Sequence, residues 1–220
     1  MKTQITKVIT RSLAIALFGL CLTTPIFAET PQSHQNSSIY QRVLAIYNAV
    51  YERWAFGAIT LPTDPNGNAV VFPNVVLMPV PNTPGDGTPG HLDVTFFKGQ
   101  GFVLPLWVLL GTHYTDGTPP DPFVPVSVFR TLNLTFKIDG RTVINQGNLM
   151  NFYTGFVFSP WIPVDFPPVD AIIFFQGISI LHGPLSVGTH TLKLDAVNTQ
   201  PAFGGFFEYH NTWTVTVHHR

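Results

Sequence analysis

Few side chains in this 220-residue chain could do chemistry, and histidine leads them. The eight are His34, His91, His113, His182, His190, His210, His218 and His219. The most pointed arrangement is "HLD", where His91 and Asp93 stand two apart on an expected strand and so face the same side. A later histidine (His182, His190 or His210) would complete a two-histidine, one-carboxylate set. Such a set holds iron and leaves positions open for oxygen and substrate. His91, Asp93 and His182 are therefore the candidate metal ligands, with Fe, Cu or Zn as the ion. The plainer alternative needs no cofactor: His91 and Asp93 hydrogen-bond locally at the start of a strand.

Carboxylates offer less. Asp116 with Asp121, or Asp165 with Asp170, could serve glycoside hydrolysis if folding set the right separation. Flanking Gly and Pro mark them instead as turn residues that cap their own backbone. "DPNGN" (64–68) begins like a calcium loop, with oxygens at Asp64, Asn66 and Asn68, but Ala69 and Val75 stand where glycine and glutamate are required. No G-x-S-x-G elbow, P-loop or G-x-G-x-x-G fingerprint occurs.

Rings are the richer lead. "SPWIPVDFPP" and "PAFGGFFEYH" set aromatic residues beside Pro and Gly in expected loops. Aromatic platforms next to Asp and Asn hold sugars or apolar partners. Trp161, Phe166, Phe206, Tyr209 and Trp107 are the candidate ligand-binding residues.

The elements that must position these side chains are mostly strands. Only "SSIYQRVLAIYNAVYERWAFG" has a helical period, which predicts a helix over 38–56 with Ser38 as N-cap and Gly57 as its stop. Ile39, Val43, Ile46, Val50 and Trp54 form the expected inward stripe, which Tyr40, Tyr47 and Tyr51 widen. Beyond Leu61, short β-branched and aromatic runs alternate with Pro, Gly, Asp and Asn, the pattern of an all-β sandwich or barrel. "LNLTFKIDG" alternates Leu132, Leu134, Phe136 and Ile138 and then reaches Asp139-Gly140, a strong hairpin signal. "TWTVTVHH" sets Trp213, Val215 and Val217 against threonines. "GFVLPLWVLLG" is apolar on both faces, which predicts a central strand with a bulge or an edge at Pro105. The proline-rich stretches 78–90, 115–125 and 159–170 are expected loops.

The N-terminus sets the compartment. Lys2, Lys7 and Arg11 precede an apolar core, Leu13 to Leu22, and Pro25 precedes Ile26-Phe27-Ala28. That is the three-part pattern of a secretory signal peptide, expected over 1–28, its core too short to span a bilayer. Residues 29–37 read as a polar disordered tail. Cleavage after Ala28 removes Cys21, the sole cysteine, so the exported chain has no disulfide and no thiolate site. It keeps eight basic and twelve acidic side chains, a net charge of −4. With no basic run, it lacks the phosphate-neutralising surface of a nucleic-acid binder and the polybasic patch of a membrane-surface protein.

"LTFKIDGRTV" followed by "GPLSVGTHTLKLDAVNT" resembles the late strands of secreted immunoglobulin-like domains, where a "DG" hairpin and an L-x-x-G-x-H-T-L unit recur. The helix followed by "ITLP", the strand "GQGFVLPLW" and the "PLSVGTHTL" unit resemble a group of functionally uncharacterised bacterial secreted proteins. The likeness spans most of residues 50–198. It implies an all-β, immunoglobulin-like antiparallel β-sandwich over 38–220 with one N-terminal amphipathic helix, in the periplasm or outside the cell. It transfers no catalytic residue. The expected function is non-catalytic binding or surface interaction with a carbohydrate, apolar or protein ligand. The alternative is a metal-dependent oxygenase or hydrolase built on His91 and Asp93.

Overall fold

The computed structural model describes residues 38–71, 74–199, 203 and 205–219. The expected signal peptide and polar tail lie outside these residues. In chain order the elements are α1 (Ile39–Ala55), β1 (Val70–Val71), β2 (Val75–Leu77), β3 (Gly90–Phe97), β4 (Gly101–Tyr114), α2 (Val126–Phe129), β5 (Asn133–Ile138), β6 (Arg141–Ile144), a 3-10 turn (Leu149–Phe152), β7 (Tyr153–Phe166), β8 (Val169–His182), β9 (Gly188–Asn198) and β10 (Phe207–His218). The protein is all-β with α1 laid against it.

Local chemistry explains the strands. Asp139 and Gly140 both adopt positive φ (49° and 76°), the two-residue geometry whose twist matches that of its flanking strands, so β6 folds straight back on β5. Alternation buries Leu134, Phe136 and Ile138 of β5, and Trp213, Val215 and Val217 of β10. The doubly apolar β4 lies inside its sheet between β2 and β8, and its register slips between Pro105 and Trp107, where the proline has no N–H for the ladder.

The strands form two five-stranded sheets, ordered β1-β2-β4-β8-β7 and β3-β10-β9-β5-β6. A single cluster of buried side chains joins them. Phe102, Leu104, Trp107 and Ile180 come from the first sheet, and Phe96, Phe136, Leu194 and Trp213 from the second. The expectation of wholly antiparallel sheets is corrected at two places: β2 runs parallel to β4, and β3 parallel to β10. After β3 the chain turns through Gly99 (φ 89°) into the other sheet. The flank of β3 is thus left for the last strand, which arrives in the same direction.

Two further expectations are corrected. Helix α1 begins and ends as predicted, with a capping box between Ser38 and Gln41 and the left-handed Gly57 (φ 72°) beyond its end. It packs by the tyrosine side of that stripe, however, and not by its Ile39, Val43 and Ile46 side. Leu44, Asn48, Tyr51 and Glu52 are buried on the first sheet, while Ile39 (73% exposed), Val43 and Ile46 (64% exposed) face outward. The phenol side also brings hydroxyls that reach sheet-side backbone: Tyr51 donates to the Met78 carbonyl at 2.8 Å and Tyr40 accepts from the Leu181 N–H at 3.0 Å. The second correction is at 159–170, which forms β7, a tight turn and the start of β8 rather than a long loop. β7 is an edge strand, where missing proline N–H groups cost no ladder bond.

Candidate functional site

β4, β7 and β8 are each fourteen residues long, against twelve for β10 and eleven for β9 in the second sheet. Where β4 stops and β7 turns into β8, the ladder pairs His113 with Ala171 and Ala171 with Pro163. That register brings His113, Asp170 and Trp161 together. His113 Nδ1 donates to Asp170 Oδ1 at 2.7 Å, and its ring centroid lies 5.1 Å from that of Trp161 at an interplanar angle of 35°. Trp161 remains 47% exposed. A carboxylate only accepts, so the proton of a neutral His113 sits on Nδ1 and its Nε2 is an acceptor. No polar partner for that Nε2 stands among the described residues.

The surroundings hold this arrangement in place. Asp121 accepts from the Thr112 N–H at 2.9 Å, the Thr112 hydroxyl and the Tyr114 hydroxyl at 3.1 Å, tying the 115–125 loop to β4. Thr115 N–H donates to the Pro168 carbonyl at 2.8 Å, which closes the β7–β8 turn onto the same loop. One strand position before Thr112, Gly111 is obligatory: a Cβ there would lie 1.9 Å from the Phe174 ring, against which Phe123 stacks at 4.2 Å. Asp116 accepts from the Thr118 N–H at 2.9 Å, the turn-capping role read from its flanking residues. Asp64 likewise caps the Asn66 and Asn68 N–H groups.

The other aromatic candidates are dispersed. Trp107 is 6% exposed and meets Phe203, Phe207 and Tyr209 edge-on, so its expected role as a ligand platform is corrected to core packing. The slip after Pro105 turns both Leu106 and Trp107 into the core, which strict alternation does not anticipate. Tyr209 is half-buried against Trp107, and burial raises its phenol above the ordinary value. Phe206 is exposed beside the start of β10, and Phe166 is half-buried at the end of β7.

The metal candidates do not converge either. His91 Nε2 lies 3.0 Å from Asp93 Oδ1 on β3, both exposed. His182 is in the other sheet, stacked on Phe102 at 5.3 Å with Nδ1 donating to the Gly183 carbonyl at 2.7 Å. Among the described residues no three His, Cys, Asp or Glu side chains are arranged to hold a metal. The expected joining of His182 to His91 and Asp93 is thereby corrected: a shared face of one strand does not reach a third group on the opposite sheet. His182 borders a hollow of about 240 Å³ beside Tyr40 and Phe152, smaller than the roughly 300–1,000 Å³ usual for ligand pockets.

Two more imidazoles are clamped from both sides. His190 Nδ1 donates to Asp139 Oδ2 at 2.6 Å and Nε2 to the Ser186 carbonyl at 2.9 Å. His210 donates to Asp195 at 2.9 Å and to Glu208 at 2.9 Å. With acceptors at both nitrogens the protonated form of each ring is favoured, and the carboxylates raise both above the ordinary imidazole value.

No protein-family model, curated protein or solved structure matches this chain. Its own geometry defines an all-β protein of two facing sheets, with an aromatic, imidazole and carboxylate cluster where β4 stops and β7 turns into β8.

Proposed function

We infer that this is an exported, non-catalytic binding protein that holds a carbohydrate on Trp161. The observation that carries the reading is the exposed Trp161 ring packed on an imidazole whose orientation Asp170 fixes. A sugar laid on the indole presents C–H groups to the ring and hydroxyls to its rim. His113 Nε2 and the second oxygen of Asp170 are acceptors for those hydroxyls, and rigid acceptors cost little ordering on binding. The immunoglobulin-like reading belongs to the same proposal. Its support is the chain order: β4-β8-β7 lie in one sheet and β10-β9-β5 in the other, as successive strands of that sandwich do. Export rests on the basic, apolar and small-residue order of residues 1–28.

Affinity electrophoresis through gels containing a soluble β-glucan, a xylan or a mannan tests the binding. The wild-type protein should be retarded in at least one. Trp161→Ala should lose that retardation by at least about tenfold in affinity, the loss typical of a central aromatic contact, with an unchanged circular dichroism spectrum. Retardation of the variant equal to wild type, or none for either protein in any gel, overturns the reading.

A further inference from the structure

Among the described residues, one charged-type side chain has been taken almost wholly out of water. Glu52, on the inward face of α1, is 5% exposed. It stands one helical turn after Asn48, on the neighbouring position of the same face. The interface around it is polar without being charged. Asn48 Nδ2 donates to Thr154 Oγ1 at 2.9 Å, but the buried Asn48 Oδ1 has no donor. Ser179 Oγ is also buried and unpartnered. It lies two residues before Leu181, which packs with α1, and therefore on the helix side of β8.

No basic group answers Glu52. On its own helix, Arg53 is turned outward, donating to the Pro160 carbonyl at 2.7 Å with its guanidinium 5.5 Å over the Phe158 ring. Arg42 is exposed, and the Tyr51 hydroxyl is committed to the Met78 carbonyl. Of the elements packed against the helix, β4 offers His113, paired with Asp170 of β8, and Tyr114, bonded to Asp121. β7 offers Tyr153, which accepts from Gln176, and the exposed Asp165 near its end. β8 adds His182, bonded to the Gly183 carbonyl, and the 57–69 segment adds Asp64, bonded to Asn68 and Gln100. The 3-10 turn and β2 carry no titratable side chain.

We propose that α1 is a proton-sensitive clamp on the first sheet, closed while Glu52 is a neutral carboxylic acid and opened when it ionises. The neutral acid is a hydrogen-bond donor, and Asn48 Oδ1 one turn away is the acceptor that lacks one. The carboxylate is acceptor-only, stands one helical turn from an orphaned oxygen that is acceptor-only as well, and has no cation to pair with. A buried charge in that position costs more than any of the hydrogen bonds beneath the helix returns.

Burial pushes the Glu52 carboxyl up to about 8, so the clamp responds around neutral pH. In an opened, solvated helix the same group ionises near its ordinary value of 4.5. The closed state therefore holds one proton more than the open state between those limits. The opening equilibrium rises about tenfold per pH unit across that window and levels off above it. Opening would bare Leu77, Val103 and Leu181, the apolar patch that Leu44 and Tyr51 now cover. This inference does not rest on the carbohydrate reading, since its carrying observations are the burial of Glu52 and the orphaned Asn48 Oδ1.

Amide hydrogen exchange followed by mass spectrometry between pH 6 and 9, corrected for the intrinsic pH dependence of exchange, tests it. Protection of α1 should fall about tenfold per unit up to pH 8, while β9 and β10 keep theirs. In Glu52→Gln, which donates at every pH, α1 protection should be flat. A flat wild-type profile, a slope shared equally by β9 and β10, or a slope that survives in Glu52→Gln overturns the clamp. The wild-type comparison of helix with sheet decides the matter even if the variant fails to fold.

Discussion

Two histidine–aspartate pairs, His190–Asp139 and His113–Asp170, have nearly the same bond length, 2.6 and 2.7 Å, and serve opposite ends of structural use. At the β5–β6 hairpin, His190 has a side chain only 12% exposed and spends both nitrogens, one on Asp139 and one on the Ser186 carbonyl. Asp139 is used up as well: its other oxygen accepts the Thr191 N–H at 2.9 Å, locking the hairpin turn to β9. At the end of β4, His113 spends one nitrogen and keeps the other, next to a half-open indole. The pair chemistry is shared, and the number of neighbours decides the role. A doubly clamped imidazole is a staple; a singly held one beside an exposed ring is what the proposed carbohydrate site is built on.

Breaking the frame behind the open pair should have the largest effect. Gly111→Ala drives a methyl into the Phe174 ring, and overpacking of that severity should cost about 3 kcal/mol. For a domain of this size that lowers the Tm by roughly 10 °C in a thermal melt. Next comes the closed pair. Asp139→Ala removes two charge-assisted hydrogen bonds and leaves His190 Nδ1 without its acceptor, a loss of about 2 kcal/mol near pH 6 by urea denaturation. Partial burial raises the Asp139 carboxyl, but hydrogen bonds from His190 and the Thr191 N–H outweigh it and hold the group below its ordinary value. Since His190 is raised, its contribution is complete below the ordinary imidazole value and is lost as pH rises through the raised one. The gap between wild type and Asp139→Ala should therefore shrink from pH 6 to pH 9; a constant gap would mean that His190 is not held as an imidazolium.

His113→Ala should sharpen the contrast from the other side. Its stability change should stay under about 1 kcal/mol, while retention on the polysaccharide that binds wild type falls. A stability loss matching that of Asp139→Ala would make the open pair a staple too. Smallest of all should be Ile46→Ser on the outward face of α1, within about 0.5 kcal/mol. A larger loss in the urea midpoint would return that stripe to the core.

Much of the architecture could be read directly from residue order. The capping box at Ser38, the Asp139-Gly140 turn, the alternation of β5 and β10 and the proline slip in β4 are all local, set by contacts within a few positions along the chain. The reading of α1 shows the limit of periodicity. Ile39, Val43 and Ile46 repeat at the helical period, and so do Tyr40, Leu44, Tyr47 and Tyr51. Which stripe faces inward depends on the sheet beneath, through carbonyls such as that of Met78.

The candidate site follows the same division. Trp161 was legible as an exposed ring beside prolines, yet the edge strand that carries it was not, because edge position is a property of the sheet. His113 and Asp170 stand 57 residues apart, and only the β4–β8 register makes them partners. The same register leaves His182 on the opposite sheet from His91 and Asp93. By itself the sequence determined the all-β character and the local turns, since each depends on short-range hydrophobic and backbone preferences. Tertiary structure alone decided which face of the helix is buried, which rings are core and which groups each histidine meets, because those are settled by who arrives alongside, over distances the chain itself does not encode locally.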